Sequence, residues 1–167
     1  SSWTKPSVAT LFTGLLPSRH GAMRREQRLR PDVPTLAEIL KKQGYATASF
    51  ISNPNVLPVF GFDRGFDVVR DVESIQRTAR AQQVHTETLL YLEQNRKTGH
   101  DGPLFLYIHT RDPHAPYEPP SPYDRRFAPR NSSMGGDPKW IANQRAVALY
   151  DGEIAYNDDE FGKLLEQ

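Results

Sequence analysis

The chain has 167 residues, 37% of them hydrophobic and 25% charged, a composition that supports one ordinary folded core. Its 21 Lys and Arg balance 20 Asp and Glu to a formal charge of +1, which excludes a bulk field toward nucleic acid or an anionic membrane, so any anion site must be local. The lack of cysteine excludes disulfides, thiolate zinc sites and cysteine nucleophiles, and no stretch approaches the roughly 20 apolar residues of a membrane span.

The first stretch, SSWTKPSVATLFTGLLPSRHG, reads as a loop entering a short helix. Pro6 suits a first helical turn, Thr4 or Lys5 lies just before it, and Val8, Leu11, Phe12 and Leu15 supply an apolar face up to the Gly14 region. Ser7 reads as a first-turn hydrogen-bonding residue, and His20 with Gly21 closes this region. Arg24, Arg25, Arg28 and Arg30 form a basic run of the kind that usually lies on a solvated face.

The segment PDVPTLAEILKKQGY gives the clearest helix. Thr35 caps it with Glu38 three residues on, and Lys41, Lys42 and Gly44 end it. Residues 46–52 and 103–109 are short apolar runs placed after helical segments and read as buried parallel strands. Residues 72–97 read as a long helix with Ile75, Val84, Leu89, Leu90 and Leu92 inward and His85 on its face, and 141–167 as another. The Pro-rich stretch 113–129 reads as an ordered loop or surface excursion, with Asp112 fixing the turn before Pro113. The order helix, strand, helix, strand, helix implies an α/β sheet with crossovers. The chain starts inside what reads as an active-site loop, and its last helix runs on without a stop signal; both features lead one to expect a slice of a larger domain.

Three pieces, in order, resemble the sulfatase family of the alkaline-phosphatase superfamily. The first runs from Thr4 to Gly14, with Pro17 and His20-Gly21, and is similar to the family's Cys/Ser-x-Pro-Ser-Arg-x-x-x-x-Thr-Gly signature and its trailing His-Gly. The second is LAEILKKQGYAT, Leu36 to Thr47, followed by Gly65-Phe66-Asp67. The third is HTRDPHAPYEPP, His109 to Pro120, similar to the family's His-x-Pro-Tyr loop.

The resemblance implies an alkaline-phosphatase-like sheet flanked by helices. Residues 1–167 would be a partial catalytic domain without the first metal-binding strand and the C-terminal metal-binding part. It implies a metal-dependent hydrolase of sulfate or phosphate esters, with Thr4 in the place of the nucleophile and metal ligand. The metal would be divalent, calcium first, with manganese, magnesium or zinc as alternatives and the remaining ligands outside this chain.

Two departures bear on mechanism. Oxidation of a threonine gives a ketone, so the family's formylglycine does not suit Thr4; direct attack, as in the related phosphoglycerol and phosphoethanolamine transferases, fits better. Val8 replaces the signature arginine, leaving Lys5 as a substitute cation. Thr4 read simply as a helix cap is the structural alternative. His114, braced by Pro113, Pro116 and Pro119, occupies the family's loop position and would bind a non-bridging oxygen or protonate the leaving group. Asn53 stands where arylsulfatases carry Lys-x-His and would replace one substrate contact. His109 at the strand end is open to either a structural or a binding role. A reading of another class, a catalytically degenerate sulfatase-like binding protein, also accommodates Thr4 and Val8.

Overall fold

The computed structural model describes residues 3–72, 79–99, 101–128 and 138–166. Three parallel strands, β1 (Ala46–Ile51), β2 (Val68–Asp71) and β3 (Leu104–His109), form a sheet in the order β2-β1-β3. Helices α1 (Thr4–Thr13), α2 (Pro17–His20) and α3 (Leu36–Lys42) precede it, α4 (Ala81–Lys97) crosses from β2 to β3, and α5 (Tyr123–Arg126) and α6 (Pro138–Leu165) follow. The expected α/β class and both expected strands are present. The short strand β2 was not anticipated; its four residues, two valines followed by Arg70 and Asp71, offer little periodicity.

β1 is central and buried on both sides, which is why ATASFI lacks an alternating polar face. Ala48 and Phe50 pack with Val84 of α4, while Ile51 joins Val8, Ala9 and Phe12 of α1. β3 divides in the same way: Phe105 and Tyr107 meet the α1 cluster, and Leu106 and Ile108 the α4 cluster. Phe12 is the hinge of the first layer, with ring centroids 4.7 Å from Tyr107, 5.7 Å from Phe66 and 5.9 Å from Phe62. A fully buried ring of this kind contributes about 1.5–3 kcal/mol.

The long helix expected over 72–97 is described as α4 from Ala81, and Ile75 lies outside the described residues. Its buried face is Ala81, Val84, His85 and Thr88, and Leu90 is exposed. The fully buried stripe is i, i+3, i+4 and i+7 from Ala81; Leu90, nine positions on, points to the opposite side, while Leu89 and Leu92 are half-buried at the margin of the stripe. The apolar face of α1 is likewise narrower than expected, because Leu11 is exposed while Val8 and Phe12 are buried. The Pro-rich stretch is a loop through Ala128, interrupted only by the single turn of α5; residue 129 lies outside the described residues.

The capping box of α3 forms as expected. Glu38 N–H donates to Thr35 Oγ1 at 3.2 Å, and Thr35 N–H donates to Glu38 Oε2 at 2.8 Å. Glu38 also receives Arg64 at 2.8 Å, and that guanidinium donates to the carbonyls of Val33 and Arg30. Burial by itself would raise the Glu38 carboxyl, but Thr35 and Arg64 outweigh it and hold the group below the usual carboxylate range.

This knot seats the Gly65-Phe66-Asp67 segment against α3. Asp67 accepts from Thr47 N–H and its hydroxyl, and pairs with Lys41 at 2.6 Å. Gly65 has φ +86°, and a Cβ there would stand 2.1 Å from Glu38 N and 2.5 Å from Ala37 C, both backbone atoms. Glycine is required on both counts.

Two outcomes follow. Gly65→Ala is expected to lower unfolding free energy by about 3 kcal/mol or more, measured by urea titration; a loss below about 0.5 kcal/mol would mean that α3 shifts freely. Because Glu38 is depressed in the folded state, its contribution is present above the unfolded pKa and is lost as pH falls through the lower folded value. Wild-type stability should therefore decline through the acid range below about pH 4.5, and Glu38→Gln should flatten that decline in thermal melts.

Candidate active site

Asn53, His109 and His114, three of the polar residues that the sequence singles out, lie beyond or at the carboxyl ends of the strands, where open parallel sheets place their ligands. Register accounts for the arrangement. Ile51, the last residue of β1, pairs with His109, the last of β3, and Ser52 N–H donates to the His109 carbonyl at 2.9 Å. Asn53 is the next residue, and its Nδ2 lies 3.3 Å from His109 Nε2.

The hydrogen bonds assign the histidine tautomer. Asn53 Oδ1 accepts the Asn55 N–H at 2.9 Å, so the amide nitrogen faces His109 and can only donate. His109 Nε2 must then accept, which puts the proton of the neutral ring on Nδ1, 2.7 Å from the Tyr107 oxygen. Burial pushes the His109 imidazole down and the Tyr107 phenol up, both toward their neutral forms. His109 is therefore the middle of a neutral chain, Asn53–His109–Tyr107, which fixes the amide of Asn53.

A cavity of about 170 Å³ opens beside this chain, lined by Ser52, Asn53, Pro54, Asn55, Arg111 and His114. It brings together an amide, a guanidinium and an imidazole, groups that suit the oxygens of an anionic ester. The His114 ring is exposed, and its Nδ1 donates to the Ala115 carbonyl at 2.7 Å. That bond leaves Nε2 as the atom with acid–base capacity. A second, smaller cavity of about 80 Å³ lies behind the loop, lined in part by Arg80, Arg111, His114 and Glu153.

Thr4 is half-buried and is the first residue of α1, with Trp3 at the cap position, so it lies in the helix instead of before it. No side-chain cap bond is made at this end, and Ser7 Oγ donates back to the Trp3 carbonyl at 2.8 Å. α1 packs against residues 54–56, which follow Asn53, but Thr4 is not among the residues lining the 170 Å³ cavity.

Lys5 is placed otherwise than as a substitute cation facing an anion. It is fully buried; its ammonium donates to the carbonyls of Arg25 and Gln27 and sits 3.0 Å from the Phe60 ring centroid. The physical reason is position: a first-turn residue pointing inward meets the returning 25–27 loop, whose carbonyls have no helical partners there. Burial lowers its pKa foremost, with Glu26 opposing.

His20 is buried and structural, bonded through Nε2 to Thr10 and accepting the Ala22 N–H on Nδ1. His85 is buried, not simply on a helix face. Asp112 serves a tertiary purpose beyond its turn: its carboxylate accepts the Ala81 N–H at 2.8 Å, at the start of α4. Arg24, Arg25, Arg28 and Arg30 are exposed, and Arg30 pairs with Asp32 at 2.5 Å.

Arg111, Tyr107, Asn55 and Glu153 join the site without having been marked in the sequence. Arg111 lies inside the HTRDPH motif and could have been read from it; the others carry no local signal. Among the described residues no three His, Asp or Glu side chains converge as a metal site, and a lone threonine hydroxyl does not make one for a hard divalent ion.

A family model described as Sulfatase matches residues 1–167. No curated protein matches the chain. Among solved structures, the chain is similar to a phosphonate monoester hydrolase from Silicibacter pomeroyi, with 18% identity and TM-score 0.70, covering 96% of this chain and 49% of that one. It is similar to the lipoteichoic acid synthase LtaP from Listeria monocytogenes, with 17% identity and TM-score 0.69, covering 99% and 40%. It is also similar to BT4656, solved with its substrate D-glucosamine-2-N,6-O-disulfate, with 14% identity and TM-score 0.68, covering 99% and 52%. The chain thus spans about half the length of these proteins or less, and at such identities the likeness is one of fold.

Lys5→Met keeps the aliphatic stem and removes the ammonium, leaving two inward carbonyls without their donor. Stability should fall by about 1–3 kcal/mol in urea titration, with the loop at 25–27 gaining amide exchange. Unchanged stability would mean that the ammonium is dispensable to this corner.

Proposed function

Given that the chain belongs to the sulfatase family, we propose that it forms the nucleophile-bearing part of a metal-dependent hydrolase of sulfate or phosphate esters. The observation that carries this reading is the shared cavity of Asn53, Arg111 and His114 at the carboxyl edge of a parallel sheet. Asn53 and Arg111 offer donors to the non-bridging oxygens, and the Tyr107–His109 chain keeps the Asn53 donor oriented. His109 thus supports binding through Asn53, and Lys5 supports the site by anchoring the 25–27 loop.

Thr4 is the proposed nucleophile and the one metal ligand this chain would contribute. Among the described residues no cluster of His, Asp or Glu composes a metal site, so calcium or another divalent ion would need further oxygen ligands. In the reaction, Thr4 Oγ gives up its proton to solvent and attacks sulfur or phosphorus, and the bond to the leaving alcohol oxygen breaks. The imidazolium of His114 protonates that oxygen from Nε2, because Nδ1–H is committed to the Ala115 carbonyl. Thr4 is the first residue of the ten-residue helix α1, and the positive end of that helix supports its reading as the nucleophile. Water then releases the group from Thr4. A transferase outcome, in which an acceptor hydroxyl replaces water, draws support from the same unmodified Thr4.

In the full-length protein, His114→Ala should lower kcat/KM by roughly 10²–10⁴, measured on alkyl sulfate and alkyl phosphate esters, whose alcohol leaving groups need the proton. Activity should also fall in the order wild type, Thr4→Ser, Thr4→Val, with valine near background, and a trapped covalent adduct should map to Thr4. Ordinary turnover by Thr4→Val would return Thr4 to a structural role.

A further inference from the structure

The loop that carries His114 owes its course to one face of α6. Gly152 lets it approach, since a Cβ there would lie 2.6 Å from the Tyr123 carbonyl and 2.9 Å from Pro119 Cγ. One residue on, Glu153 Oε1 accepts the Glu118 N–H at 2.7 Å, and the His114 N–H acts more weakly on the same carboxyl. One turn later Asn157 Nδ2 donates to the Asp112 carbonyl at 3.3 Å. Residues 153 and 157 are an i, i+4 pair, so neighbouring side chains hold both ends of the 112–118 segment.

Glu153 is a costly residue in this place. It is only 3% exposed, and its Oε2 has no partner among the described residues. Burial foremost pushes its pKa up, with Asp112 adding to the push and Arg80 opposing it. A buried, half-satisfied carboxyl destabilises a fold relative to an apolar side chain of similar volume. Packing therefore does not account for it, whereas the bond to the His114 loop does.

We propose that Glu153 is the positioning residue for His114: its carboxyl ties the His114–Glu118 segment to α6 and keeps the imidazole on the wall of the cavity shared with Asn53 and Arg111. The kinetic part of this inference rests on the ester-transfer reading above; the structural part does not. Glutamine at this position keeps an acceptor for the Glu118 N–H, while leucine fills similar space and offers none.

The test compares Glu153→Leu and Glu153→Gln in the full-length protein by amide exchange at Glu118, thermal melting and steady-state kinetics. Glu153→Leu should still melt in one cooperative transition, lose protection at Glu118, and lose kcat on the order of 10²-fold with a smaller change in KM. Glu153→Gln should retain Glu118 protection and stay within a few-fold of wild-type kcat. Undiminished Glu118 protection in Glu153→Leu would overturn the proposal, as would lost protection with unchanged kcat, or a glutamine variant as impaired as leucine. If the wild type turns over no ester, the functional reading fails, and Glu118 exchange in the leucine variant alone decides whether the tie exists.

Discussion

The register of β1 against β3 is the constraint on which the polar edge depends. Because Ile51 stands opposite His109, the two strands end level, and the chain leaving β1 has to pass the His109 ring at once. Asn53 meets it there, and the amide, the imidazole and the Tyr107 phenol form one neutral chain. A shift of one residue would turn Phe50 toward the α1 layer and Ile51 toward α4, so two aromatic clusters enforce the register from both faces of the sheet. The positions of Asn53 and His109 are thus consequences of core packing.

The loops around this edge are held by buried and half-buried polar groups that reach across the fold. Lys5 holds the 25–27 turn, Arg64 holds 30–33 against α3, Asp112 meets the first N–H of α4, and Glu153 meets the N–H of Glu118. Each joins a backbone carbonyl or amide that has no strand or helix partner to a charged side chain 20 or more residues away. Such bonds contribute modestly when made, about 1.5–3 kcal/mol for a charged partner, and cost more when one member is removed. They constrain the loops chiefly by making alternative courses expensive.

Membership of the sulfatase family agrees with this architecture, and the departures within the signature find a physical setting in it. With valine in place of the signature arginine, Val8 is buried in the α1 cluster, and the neighbouring cation Lys5 is directed inward. Arg111 provides the guanidinium at the cavity instead, from the loop that also carries His114. Cation and imidazole are therefore delivered together by one Pro-rich segment, and their placement depends on how that segment docks on α6.

The sequence by itself determined what is local. The capping box at Thr35 and Glu38, the end of α3 before Gly44, the strands at 46–52 and 103–109 and the α/β class all follow from interactions within a few residues, and all are present. The motifs also marked Asn53, His109 and His114 as the residues to examine. Only the tertiary structure decided where Lys5 points, why Gly65 cannot carry a side chain, that Leu90 lies off the buried stripe of α4, and that Glu153 belongs to the site. The reason is that these outcomes are set by partners 20 or more residues away, through burial and hydrogen bonds that no local periodicity encodes.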